Sequence, residues 1–232
     1  MIYITGDTHG ELDRFNAPFL KKLKSGDSII ICGDFGFIWD GDENEKKKIE
    51  KLSKKKYNIL FLDGKHENFD LLNDYPQCEW NEGKVHKISD NIYHLMRGQV
   101  FNLDGKSIFT FGGGESLDKY DRISVGKWWE QEMPTIDEMK TAVKNLDKVN
   151  RKVDYIITHE PPTAVRNILY GKITNFNMLD AFLDEIVKLV EFRKWFFGCL
   201  HIDRKITAKN HAVFQDIIPI EEMKKSKWRF NK

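Results

Sequence analysis

Ser28-Ile29-Ile30-Ile31-Cys32-Gly33-Asp34-Phe35-Gly36 carries the most information about the fold. Four apolar side chains stand in a row with no polar alternation, the pattern of a short strand covered on both faces. The run stops at a glycine and an aspartate follows, so a carboxylate is delivered to the end of a central strand. Ile2-Tyr3-Ile4 before it and Asn58-Ile59-Leu60-Phe61-Leu62 after it have the same strand character. Between them lie a helical stretch from Glu11 to Lys24, interrupted near Pro18, and a charged helix from about Asn44 to Lys55. This βαβαβ rhythm predicts a mainly parallel sheet covered by helices.

The middle of the chain changes character. Lys84 to Ile88, Ile92 to Met96, Val100 to Leu103 and Ser107 to Phe111 read as short strands, with Asp104-Gly105 marking a hairpin. They predict antiparallel pairing, in a second sheet or at an edge of the first. A helix from Thr135 to Lys148 opens on a capping box, Thr135 with Glu138. Val153 to Thr158 is a further strand. An amphipathic helix from Met178 to Arg193 is expected to bury Leu179, Phe182, Ile186, Leu189 and Val190. Trp195-Phe196-Phe197 and two strands near Lys205 to Ala208 and Ala212 to Gln215 close the pattern. No Pro/Gly/Ser-rich linker divides residues 1–232, which predicts one α/β domain.

Composition excludes several classes. Thirty-seven basic against 36 acidic residues give a net charge of +1, so no global field calls for long nucleic acid or an anionic membrane. The lysine clusters at 46–48 and 54–56 read as the solvated face of a helix. No run approaches the roughly 20 apolar residues of a membrane span, and the N-terminus enters a strand without a basic leader. Cys32, Cys78 and Cys199 are odd in number and scattered, which predicts free thiols and a cytoplasmic setting.

Metal-ligating residue types recur at one place in this pattern, just past the carboxyl ends of apolar strands. They are Asp7 and His9 in Gly6-Asp7-Thr8-His9-Gly10, Asp34, His66 and Glu67 in Gly64-Lys65-His66-Glu67, His159 after Thr158, and His201 after Phe197-Gly198. Ligands of open α/β sheets bind at that edge. One Asp-x-His is ordinarily a turn and a surface imidazole, but five sites at strand ends in one chain form a joint signal. Mixed carboxylate and imidazole donors suit Mn²⁺, Fe or Zn²⁺.

From Gly6-Asp7-Thr8-His9 to Gly198-Cys199-Leu200-His201 the chain resembles the calcineurin-like metallophosphoesterase superfamily. That family's pattern is Asp-x-His, Gly-Asp, Gly-Asn-His-Asp/Glu, a lone His and Gly-His-x-His. The resemblance implies a four-layer sandwich of two mixed β-sheets flanked by helices. It implies one or two divalent ions, with Asp7, His9 and His201 on the first, Asp34 bridging and His159 on the second. It implies His66 as the catalytic imidazole beside a phosphate ester. Two cations about 3.5–4 Å apart would clamp the phosphate and acidify a water for in-line attack. The implied substrate is a small-molecule phosphate ester or a phosphorylated partner.

The chain departs from the family at Lys65, where the pattern has Asn, and at Cys199, where it has His. Both missing groups belong to the second ion. Three readings stand open: Cys199 is a soft ligand and Lys65 swings to substrate; the Lys65 ammonium takes the second ion's place; or the centre binds without turnover. On the substrate side, Arg122 is a candidate phosphate contact. Gly112-Gly113-Gly114 offers backbone N–H groups or a plain bend, Trp128-Trp129 a cleft wall or a core cover, and Glu160-Pro161-Pro162 the shape of a loop. The function classes in view are a phosphomonoesterase or diesterase, a nuclease or cyclic-nucleotide phosphodiesterase, and a catalytically impaired scaffold.

Overall fold

The computed structural model describes residues 1–171 and 175–221. Its first sheet starts from the strands expected at the N-terminus, β1 (Ile2–Thr5), β2 (Ser28–Ile31) and β3 (Asn58–Phe61), paired in parallel. Chain order continues with β4 (Gln77–Trp80), β5 (Gly83–Lys87) and β6 (Ile92–Leu95), and β13 (Ile218–Pro219) joins at the far edge. The spatial order is β13-β1-β2-β3-β6-β5-β4, in which β6 is parallel to β3 while β5, β4 and β13 pair antiparallel with their neighbours. The second sheet comprises β7 (Gln99–Leu103), β8 (Lys106–Phe111), β9 (Tyr155–Thr158), β10 (Lys194–Phe197), β11 (Arg204–Lys205) and β12 (Asn210–Ala212). Its order is β11-β12-β10-β9-β8-β7. The middle strands thus serve both expected places: β5 and β6 extend the first sheet, and β7 and β8 begin the second.

The apolar runs explain the layering. Successive side chains of a strand point to opposite faces, and here both faces are dry. Ile30, Cys32, Leu60 and Leu62 turn towards Ile108, Ile157 and Phe196 of the other sheet in a central core. Ile29, Ile31, Ile59 and Phe61 turn outward and pack with Leu52 of α1 (Glu43–Ser53) and Leu72 of α2 (Phe69–Asn73). On the second sheet Ile156, Trp195 and Phe197 face Leu146 of α4 (Ile136–Lys148) and Leu183 of α6 (Met178–Leu189). The result is helix, sheet, sheet, helix. Between come the short α3 (Lys119–Ser124) and α5 (Thr163–Tyr170).

Three expectations need correction. The stretch from Glu11 to Lys24 is not an interrupted α-helix but two 3₁₀ turns, Asp13–Asn16 and Pro18–Lys22. Pro18 forces Ala17 into an extended conformation (φ −51°, ψ 130°), which stops a helix there. In α6 the buried face is Leu179, Leu183 and Ile186, with Val190 as C-cap, whereas Leu189 is exposed. The strands β11 and β12 are also shorter and earlier than their sequence suggests. By contrast, α4 opens on the expected reciprocal box between Thr135 and Glu138. Asp104 and Gly105 turn the β7–β8 hairpin with φ of 51° and 70°.

Candidate metal centre

The carboxyl ends of β1, β2, β3, β9 and β10 meet at one edge of the two sheets, and the loops leaving them are cross-tied. The Asp34 carbonyl accepts from the Thr8 and His9 amides (3.1 and 2.9 Å), and the Phe35 carbonyl accepts from Gly10 N and Thr8 Oγ1. Asp34 Oδ1 in turn accepts from the Lys65 and His66 amides (2.7 and 2.8 Å), so the second loop holds the third. Glycines make this closeness feasible. A Cβ on Gly64 would lie 2.1 Å from Asp34 Oδ1, one on Gly198 2.3 Å from Asp7 Oδ1, and one on Gly33 2.1 Å from His159 Nδ1.

Donor atoms converge within this frame. Three groups have atoms all within 4.8 Å of one another: Asp7, His9 and His201; His9, Asp34 and His66; and Asp7, Asp34 and His159. Asp7, Asp34 and His159 are buried, while His9, His66 and His201 reach the surface. His159 Nδ1 donates to the Cys32 carbonyl (2.9 Å), which fixes the ring and points Nε2 at Asp34 Oδ1, 3.7 Å away. Asp7 Oδ2 lies 3.0 Å from His201 Nε2, and His159 Nε2 is buried with no hydrogen-bond partner among the described residues. A buried, unpaired imidazole nitrogen facing a cluster of carboxylates and imidazoles fits a divalent cation, since such an atom is costly when unpaired.

The electrostatics agree with that fit. Burial would raise the Asp34 carboxyl, yet His159 and the hydrogen-bonded His66 outweigh it and hold the group far below the usual carboxylate range. Glu67, which follows His66 in the same strand-end motif, ties this loop to the second one: its Oε1 accepts from Phe35 N at 2.8 Å. Burial and the nearby Asp34 push its own carboxyl well above the usual carboxylate range. Burial lowers the His9 imidazole.

Lys65, Cys199 and Glu160 form a second cluster beside the first. Lys65 Nζ lies 3.0 Å from Cys199 Sγ and 3.0 Å from Glu160 Oε1, and Cys199 Sγ is 3.1 Å from the same carboxylate oxygen. Burial and the Glu160 charge raise the Cys199 thiol, so it donates to Glu160 as a neutral group. Burial opposes the Lys65 ammonium, but Glu160 and Cys199 outweigh it and hold the proton firmly. Glu160 therefore does more than shape its loop. Cys199 belongs to none of the three metal-holding groups among the described residues.

The remaining sequence candidates lie around this cluster. Arg122 is buried, and its Nη1 donates to the Lys65 carbonyl (2.9 Å) and Ser116 Oγ (2.6 Å) and pairs with Glu132 (2.6 Å). It braces the backbone of Lys65 from behind. Gly113 N and Gly114 N are taken by the Asp63 and Glu132 carbonyls, so the glycine run is a bend. Trp129 packs edge-on against Trp39 and donates to Asp70. Sequence reading missed Arg14, whose Nη1 donates to the Gly6, Asp7 and Phe214 carbonyls, and Asp203, which accepts from the Phe214, Gln215 and Asp216 amides. The Arg14 tie to Phe214 spans 200 positions, and the shorter ties run between loops that no local motif announces.

A phosphoesterase-type metal centre on a double sheet is what this arrangement describes. The calcineurin-like phosphoesterase family model matches residues 1–182, and the chain belongs to that family. No curated protein matches it. Among solved structures, a candidate 5'-nucleotidase from Staphylococcus aureus, crystallised with alpha-ketoglutarate, superposes with a TM-score of 0.50 at 14% identity. The match covers 92% of this chain and 48% of that one, so this chain spans about half its length. Phosphopantetheinyl hydrolase from Mycobacterium tuberculosis superposes with a TM-score of 0.44 at 13% identity, over 92% of this chain and 89% of that one. At 14% identity the first likeness concerns the fold alone. Among the described residues no helix is long and apolar enough to cross a membrane.

Proposed function

We propose that this chain is a metal-dependent hydrolase of a phosphate mono- or diester, with a lysine ammonium standing where the family places its second ion. The convergence of Asp7, His9, Asp34, His159 and His201, with the buried His159 Nε2 left without a hydrogen-bond partner, carries the reading. Asp7, His9, Asp34 and His201 would hold the first ion, and His159 completes the buried side. A divalent ion there (Mn²⁺ foremost, or Fe or Zn²⁺) supplies Lewis-acid polarisation of the phosphate and an acidified water. His66 Nδ1 is 2.8 Å from Asp34 Oδ2, which leaves Nε2 to hold a proton for the departing oxygen. Lys65, anchored by Glu160 and Cys199, supports the reading in which its positive charge faces the phosphate. Free thiols at Cys32, Cys78 and Cys199 suit a cytoplasmic enzyme acting on small phosphorylated substrates.

Metal analysis after dialysis tests the second half of this: one tightly held ion per chain is expected, and two would remove the single-ion reading. Turnover of aryl phosphate mono- and diesters with Mn²⁺ tests the first. His66→Ala should lower kcat by about 10²–10⁴-fold. Turnover indifferent to His66, or none at all, would leave a ligand-binding scaffold. Lys65→Asn combined with Cys199→His should raise both the ion count and the rate.

A further inference from the structure

His201 is the loosest of the side chains gathered at the centre. It is 51% exposed, against 36% for His9 and 2% or less for Asp7, Asp34 and His159. An imidazole in that position has rotational freedom to lose when an ion takes it. Three contacts hold the ring. Nε2 lies 3.0 Å from Asp7 Oδ2 and 3.3 Å from His9 Nε2, and the ring stacks on Phe214 with centroids 4.5 Å apart and planes 14° from parallel. The first two run between members of one candidate ligand group, through the very atom an ion would take. Of the three, the stack alone uses the ring face and leaves Nε2 free.

Phe214 is placed for that contact rather than for a core. It is partly buried, and none of the three apolar cores formed by the described residues includes it. Its backbone is fixed on both sides. The amide donates to Asp203 Oδ1 at 2.8 Å, and the carbonyl accepts from Gly6 N (3.0 Å), Thr5 Oγ1 (3.1 Å) and Arg14 Nη1 (2.8 Å). Asp203 stands two residues after His201 and also accepts from the Gln215 and Asp216 amides. The loop that carries His201 therefore holds the loop that carries its stacking partner. Arg14 Nη1 also donates to the Asp7 carbonyl at 2.8 Å, and its guanidinium carbon lies 5.5 Å from the Phe214 ring centroid. Position 214 is thus set by the two loops that deliver Asp7 and His201.

Resting on the metal-dependent reading above, we infer that Phe214 is a positioning residue for the first ion: its ring is a fixed flat platform that holds the His201 imidazole with Nε2 towards Asp7. A ligand ordered in advance loses less freedom on binding, so the platform tightens the hold on the ion without touching it.

The test is Mn²⁺ binding to the chelator-treated full chain, followed by the paramagnetic resonance of the free ion so that weak affinities stay measurable. Phe214→Leu keeps the bulk but removes the flat face, and should weaken binding by about three- to tenfold. Phe214→Tyr keeps the face and should bind within about twofold of the parent. In a His201→Ala background, Phe214→Leu should weaken binding no further, since no imidazole remains to be held. Asp203→Ala, which frees the Phe214 amide, should follow the pattern of Phe214→Leu and replaces it if that variant does not fold. Parent-like affinity in Phe214→Leu, or Phe214→Tyr as weak as Phe214→Leu, would overturn the inference. So would an equal loss with His201 present or absent, the mark of a general loosening of the Asp7 loop. A parent chain that takes up no Mn²⁺ would fail the metal-dependent reading and this inference with it; the other adverse outcomes leave that reading standing.

Discussion

Replacing Lys65 by Met, Glu160 by Gln, and both together measures how far the ammonium is part of the site's architecture. Their charged atoms are 3.0 Å apart, and the side chains are 17% and 10% exposed. At an effective dielectric constant of about 20, that separation corresponds to roughly 5.5 kcal/mol of attraction. Desolvating both groups cancels much of it. Removing one partner leaves the other's charge nearly buried, which costs about 3–5 kcal/mol in a fully dry pair. With some exposure on both sides, each single variant should lose about 2–3 kcal/mol. The double variant should lose little more than one single, giving a coupling of about 2 kcal/mol. The assay is urea unfolding in excess chelator at neutral pH. Mn²⁺ should restore more stability to Lys65→Met than to the parent, because Glu160 stripped of its ammonium becomes a cation ligand. Additive single effects, with coupling below about 0.5 kcal/mol, would refute the reasoning and return Lys65 to solvent.

Three further outcomes are expected. Gly64→Ala places a methyl 2.1 Å from Asp34 Oδ1, and a metal titration should show affinity reduced by about 10–100-fold; a change under twofold would be inconsistent with the packing. The second concerns His86, which burial and the neighbouring His94 pull from its usual 6.5 down to about 4. The unfolded chain then takes up a proton at His86 before the folded one does, so its contribution is complete above pH 6.5 and is lost as pH falls towards 4, by at most about 1.4 kcal/mol per unit. Unfolding of His86→Gln should lack this increment, and an identical acid slope would contradict it. Third, His9 has φ of 44°, so His9→Gly should stabilise the metal-free chain by about 1 kcal/mol while weakening metal binding; a loss of metal-free stability would argue against strain there.

How legible each part was depends on where its information lies. The central strands were readable because both faces are buried, so each apolar run is dictated by two cores at once, as Ile29 and Ile30 show by entering different ones. The edge strand β4 was not. Its residues Gln77, Cys78 and Glu79 are exposed and carry no apolar periodicity, and its hairpin turns on Asn81 and Glu82, both at positive φ, with Glu where Gly is usual. α5 escaped notice because it buries little beyond Thr163 and Val165 and starts directly after two prolines. Donors at strand ends could be read from sequence. Their supports could not, since Arg14 reaches Phe214 across 200 positions and Glu160 meets Lys65 only in space.

The backbone of the centre carries a further sign of function that no sequence pattern discloses. Nine described non-glycine residues have positive φ, and four of them are His9, Asp34, Cys199 and His201. The other five are turn residues, mostly Asn or Asp, which tolerate that conformation well. Asp34, His9 and His201 are also of types enriched there, whereas Cys199 is not, and a residue held in that region costs of order 1–3 kcal/mol unless the surroundings impose it. Here they do impose it: Asp34 is held by amides from Lys65 and His66, Cys199 by Asp7, and His201 by stacking on Phe214 at 4.5 Å. A fold selected for stability alone would place glycine at these positions, as it does at Gly10 and Gly36 close by. Cys199 in the left-handed region is fixed on two sides at once, its amide by Asp7 and its thiol by the Lys65–Glu160 pair, so the turn that carries it is set by the centre itself.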